Sequence, residues 1–219
     1  MTERIKKSIK MLGYTFGIRQ SVVFMVLFTV FGIVTCLRKG NLGSMGGFFI
    51  ILMGMWPVQL IQSLPGSQMV QASPWKKALQ TWVPAMMGLV CFVAGYLIVL
   101  LLRLPGSASA DAAELSRMSG ELLLVGASTF LMMLYCGAAY KFMVVSTVLF
   151  LVLYLGGTMA YNIIFVIFER PLSISLQAAA VIGLLEIVAG AFAQYGISLL
   201  LYKYPVSKHA QFRQLQKYM

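Results

Sequence analysis

Acidic residues and histidine are scarce in this chain: six Asp and Glu and one His stand against 17 Lys and Arg in 219 residues. Charge of either sign is scarce too, at 11% of residues, where a soluble domain carries about 25%. The one histidine, His209, lies on a basic tail. That excludes a histidine-ligated metal centre and a serine protease of the rhomboid type, which needs a Ser–His pair inside the membrane. The cysteines Cys36, Cys91 and Cys136 are solitary, each within or at the edge of an apolar run. Their spacing supports neither a disulfide framework nor a metal site. No G-x-x-x-x-G-K-[ST] phosphate loop occurs, so no ATP hydrolysis by this chain is expected. The expectation is a chain with no catalytic residue, no metal ligand and no cofactor of its own.

What is abundant is apolar surface: 60% of residues are hydrophobic and mean hydropathy is +0.86. Six runs, at about 21–37, 45–63, 82–102, 121–140, 143–168 and 176–202, each approach the ~20 residues that cross a hydrocarbon core ~30 Å thick. Lipid offers no partner to free backbone groups, so such runs form helices. Their continuity excludes the alternating strands of a β-barrel. The fold class expected is all-α, a single transmembrane domain of six helices. Ahead of it, Ile5, Ile9, Leu12 and Phe16 make an apolar stripe over residues 3–16, with Lys6, Lys7 and Lys10 off the stripe. This is the pattern of an amphipathic helix lying on membrane lipid, its lysines toward anionic headgroups. The first run begins about twenty residues in, and Cys36-Leu37-Arg38-Lys39 is a poor cleavage site, so it reads as a span and not a signal peptide.

With the N-terminus inside, the cytoplasm receives Arg4, Lys6, Lys7, Lys10, Arg19, Lys76, Lys77, Lys141, Lys203, Lys208, Arg213 and Lys217. The exterior receives only Arg38, Lys39, Arg103, Arg117 and Arg170, with Asp111, Glu114, Glu121 and Glu169 among them. The bias of cations places both termini in the cytoplasm, residues 203–219 forming a basic cytoplasmic tail. The net charge of +11 is then a topology signal and implies no nucleic-acid partner. Pro57 is expected to kink the second span. The connection 64–81 opens on a Pro-Gly turn; Ser73 then offers an N-cap, with Pro74 at the first position of a short helix before span three enters at Trp82. The exterior stretch 104–120 has loop character, with one or two helical turns at Ala112–Leu115.

Polar groups inside the spans are few. Glu186 lies near the middle of the sixth, where an ionised side chain costs roughly 2.5–3.5 kcal/mol on insertion scales. Ala179, Gly183, Gly190 and Ala193 lie within about 40° of one line down that helix, with Gln194 at its edge. Glu186 therefore reads as a packing or dimer-interface residue, or as a pathway group meeting a cationic or polar part of a substrate, or as a proton relay. Asn162 is a second intramembrane candidate, and Gly156-x-x-x-Ala160 a small-residue packing face.

The layout resembles the small bacterial permeases of the ATP-binding-cassette type-2 exporter family, whose subunits are bare six-span bundles. The likeness runs over nearly the full length: a basic interfacial lead, a hairpin of spans one and two, and a proline-headed segment before span three. That segment is Ala72-Ser73-Pro74-Trp75-Lys76-Lys77-Ala78-Leu79, and span four ends in Tyr140-Lys141-Phe142. Ser73 stands where the family segment has Leu, and Trp75-Lys76-Lys77 replaces a small-polar and arginine run. The resemblance implies a coupling helix in which Ser73, Pro74, Trp75, Lys76 and Lys77 dock on a separate ATPase subunit, which holds the ATP and Mg. It further implies a second permease subunit, identical or sister, and a place in the bacterial cytoplasmic membrane. Otherwise Pro74–Lys77 is a solvated positive-inside loop. Two other readings of the whole chain stay open: the substrate-capture subunit of an energy-coupling-factor vitamin importer, and a non-transporting assembly or immunity protein.

Overall fold

Thr81 separates two helices of very different length, and the break positions everything that follows. The computed structural model describes residues 18–37, 42–64, 70, 72–107, 110–161, 163 and 174–205. Six long helices carry them: α1 (Ile18–Leu37), α2 (Leu42–Ser63), α4 (Trp82–Ser107), α5 (Ala112–Ala139), α6 (Met143–Tyr161) and α7 (Leu176–Leu200). The five-residue α3 (Lys76–Gln80) lies between α2 and α4, and a 3-10 turn, Leu201–Lys203, ends α7. Each long helix is apolar and long enough to span a bilayer, and no strand occurs among the described residues. The chain is an all-α, multi-pass membrane protein. The expected interfacial helix at 3–16, the tail 206–219, Asn162 and the far end of the fifth run (164–168) lie outside the described residues.

The end of the bundle that carries α3 and the α5–α6 turn is here termed basal, and the end with the α4–α5 turn apical. Helices α2, α4, α5 and α7 form the centre, with α5 against α7 the most extensive packing. Small residues make that contact possible. Helix α7 buries Ala179, Gly183, Ile187, Gly190, Ala191, Gln194 and Ser198, so the expected small-residue face is the buried one, with Gln194 inside it. A Cβ on Gly126 of α5 would lie 2.8 Å from Gly183 Cα, so only glycine lets the two backbones approach this closely.

The other two helices are peripheral. Helix α1 packs on α2 through a glycine contact, where a Cβ on Gly46 would lie 2.8 Å from the Gly32 carbonyl oxygen. An aromatic seam continues it, with Phe24 stacked on Trp56 at 5.6 Å and Phe31 edge-on to Phe49 at 4.9 Å. Helix α6 buries only Ser146 among its described residues. It leans on its neighbours through aromatic rings, Tyr154 stacked on Phe48 at 4.6 Å and Phe150 against Tyr135 at 5.4 Å. The small face at Gly156 meets none of the described residues, for no atom of theirs lies within 4 Å of a Cβ placed there. An apolar helix in lipid needs no buried face to be stable, so packing there is optional.

One boundary departs from the sequence reading. Helix α5 starts at Ala112, nine residues before the expected 121, and α4 runs on through Pro105 to Ser107. The cause is local. Asp111 caps α5, its side chain accepting the Glu114 N–H at 2.8 Å, and Glu114 sits in the first turn where a negative charge suits the helix dipole. The supposed exterior loop 104–120 is therefore mostly helix; Asp111, Glu114 and Arg117 stay exposed on it, while Arg103 and Glu121 at its borders are buried.

Candidate functional site

The basal end gathers most of the residues singled out in the sequence. Ser73, Pro74, Trp75 and Lys76 form a β-turn closed by the Lys76 N–H donating to the Ser73 carbonyl at 3.1 Å. Pro74 takes the second position, which its ring favours, and Trp75 (φ −82°, ψ −8°) the third. This corrects the expected start: Ser73 does not cap the helix proper and Pro74 is not its first residue. The Ser73 hydroxyl instead accepts the Trp75 N–H at 3.2 Å, which fixes the turn, and α3 begins at Lys76. At its other end Thr81 (φ −121°, ψ −87°) breaks the helix, and α4 begins at Trp82 as expected.

Helix α3 has an outer and an inner side. Pro74 and Lys77 are exposed, while Leu79 and Gln80 are buried. Leu79 joins Ile61, Leu64 and Val83, and Trp75 packs half-buried against that cluster. Part of the Trp75 ring is thus used within the chain. Gln80 carries the inner side further: its Oε1 accepts from Lys141 Nζ at 3.3 Å, and the same ammonium donates to the Tyr204 carbonyl. Lys141 is buried in the α5–α6 turn, 5.0 Å from the Tyr140 ring centre. Burial lowers its pKa to about 8, helped by the positive charge of Lys76. Beside it, Phe142 meets Tyr204 edge-on at 5.6 Å, and the Tyr140 hydroxyl donates to the Ser198 carbonyl at 3.2 Å. Helix α3 is thereby joined to α4 through the chain and, through Lys141, to the α5–α6 turn and to Tyr204 beyond α7.

The two described intramembrane candidates, Glu186 and Gln194, stand apart along α7 and do not meet. Glu186 is half-buried against Gly126, and Gln194 lies two turns further toward the basal end. Gln194 is fully buried; a Cβ on Gly88 of α4 would come 3.1 Å from its side-chain oxygen. Neither amide atom of Gln194 has a hydrogen-bond partner among the described residues. Nearby, Gln62 of α2 donates to the Cys136 carbonyl of α5 at 2.5 Å. Among the described residues no three His, Cys, Asp or Glu side chains form a group that would hold a metal ion.

Several buried polar contacts were not foreseen, two of them made by charged side chains. Arg103 and Glu121, counted as exterior loop charges, form a buried ion pair at 2.8 Å near the apical end, with Arg117 3.7 Å from the other Glu121 oxygen. The signal was present in the sequence, since Asp111 three residues before Glu114 marks a helix start. The second is Lys141 on Gln80, which joins positions 61 residues apart and leaves no local trace. Comparison with protein-family models, with curated proteins and with solved structures finds no match for this chain.

Proposed function

We propose that this chain is the membrane-spanning permease subunit of an ATP-binding-cassette exporter in a bacterial cytoplasmic membrane. It works as a dimer, with an identical or sister subunit, and a separate ATPase subunit supplies ATP and Mg. Both termini and the basal end then face the cytoplasm, in line with the bias of cations. The observation that carries the reading is the two-sided helix α3. Lys77 on it and Pro74 in the turn before it are exposed and open to a partner, while Leu79 and Gln80 anchor it to the bundle. In this reading Ser73 and Pro74 set the turn, Lys76 and Lys77 form the charged rim, and the exposed part of Trp75 is the aromatic contact. Closure of the ATPases pushes α3, and the push reaches α4, α5 and α7 together.

The test is purification of the chain from its native membrane, followed by hydrolysis in nanodiscs by any ATPase that arrives with it. Lys77→Glu is the cleanest variant because Lys77 is exposed, whereas Trp75→Ala also removes internal packing. The expected outcome is an ATPase that arrives with the wild-type chain and loses about tenfold or more of its affinity with Lys77→Glu. A chain that purifies alone and tightly binds a vitamin would make it an importer's capture subunit. A chain that recruits no ATPase and binds no such ligand would leave a non-transporting membrane protein.

A further inference from the structure

Glu186 lies on the border between the buried and the lipid-facing sides of α7. Gly183 and Ile187 on one flank are buried, and Leu185 and Ile182 on the other are exposed. Its carboxyl rests on Gly126 of α5, in space that any side chain at that position would fill. The Oε2 atom is buried without a hydrogen-bond partner among the described residues, and the carboxyl makes no ion pair there. The nearby Tyr96 hydroxyl points elsewhere, lying 3.4 Å from the Ala179 and Ala180 carbonyls. A carboxyl kept in lipid for packing alone is expected to close hydrogen bonds with the helices around it. This one has an oxygen without a partner and no cation among the described residues, and a side open to the bilayer.

We propose that Glu186 is the recognition group of a lipid-accessible site for amphiphilic cations, an ammonium carried on an apolar tail, which approaches from the bilayer along the exposed border of α7 beside α5. The ammonium meets the half-buried carboxyl from its open side and cancels the charge, and a neutral pair is far easier to hold at this depth than either ion alone. The tail meets the exposed apolar side of α7. An anionic amphiphile is repelled, and a small inorganic cation would first have to lose its water. That these amines are the exported cargo rests on the permease reading; the binding site does not.

The experiment uses the full chain in nanodiscs of zwitterionic phospholipid, without any ATPase. The probes are dodecylamine carrying a photoreactive diazirine beside the amine and the matching dodecanol. The amine is expected to label residues 123–130 and 182–190 about tenfold more than the alcohol. Unlabelled dodecylamine, and not dodecanol, removes the excess, and E186Q lowers amine labelling to the level of the alcohol. Equal labelling by the two probes in the wild-type chain, or undiminished amine labelling in E186Q, overturns the proposal. The wild-type competition needs no variant, so a folding defect in E186Q does not obscure the answer. Amine that binds here but is never moved in ATPase-loaded liposomes leaves the site standing and removes these amines as cargo. Transport without such labelling does the reverse.

Discussion

At the apical end a guanidinium meets a carboxylate, Arg103 on Glu121 at 2.8 Å; at the basal end the Lys141 ammonium meets the neutral oxygens of Gln80 and Tyr204. Both charges are buried. The apical pair joins the ends of α4 and α5 and cancels itself, so it suits a fixed clamp. The basal contact joins α3, the α5–α6 turn and the chain after α7 while leaving a positive charge only partly compensated. A contact held by neutral oxygens costs less to break than an ion pair in a poorly solvated place. The part of the bundle proposed to move is thus the part held more loosely.

The largest effect should come from halving the apical pair. Glu121→Ala leaves Arg103 buried without its carboxylate, and a loss of roughly 3–5 kcal/mol is expected in thermal or denaturant unfolding in micelles. Arg103→Ala should cost less, because Arg117 still faces Glu121 at 3.7 Å. The double change Arg103→Met with Glu121→Leu should recover most of the loss. If Glu121→Ala unfolds no more easily than the exposed variant Glu114→Ala, the clamp is not one.

A smaller effect is expected at the basal end. Lys141→Ala leaves Gln80 Oε1 without its donor, at a cost of about 1–3 kcal/mol. Hydrogen exchange should quicken at 76–81 and stay unchanged along the α1–α2 hairpin. Equal quickening in both places would mean that Lys141 supports the bundle as a whole and not α3 in particular.

The smallest effect separates the two ends by pH. Burial, and then the charge of Lys76, lower the Lys141 pKa to about 8, against an ordinary 10.5. Between those values the unfolded chain holds this proton more tightly than the folded one, so stability rises with pH through that window. Below about pH 8 the burial penalty is fully present. Stability curves of the wild type and Lys141→Met should therefore converge in slope outside the window and differ inside it. Identical slopes from pH 8 to 10.5 would place Lys141 in ordinary solvent.

Much of the fold was legible because lipid removes alternatives. Six apolar runs of sufficient length can only be helices there, and five of the six begin within about three residues of their expected starts. The small face of α7 was legible for a related reason, since close helix approach in lipid needs glycine and alanine. Gly156 shows the limit of that inference: its helix displays the same kind of face and packs it against none of the described residues. Glu186, Trp75 and Lys77 were found as residue types in suggestive places, but their half-buried or exposed settings came only with the neighbours.

Hydropathy and cation placement, which each stretch of chain carries locally, determined by themselves that this is a six-helix membrane protein with a short basic helix before the third span. Which charges meet was settled only by the tertiary structure. Arg103 reaches Glu121, Lys141 reaches Gln80, and Gln194 is sealed among α4, α5 and α7 because helix rotation and crossing bring distant positions together. Those rotations come from the packing of many apolar side chains, and packing is a property of pairs of helices that no single segment records.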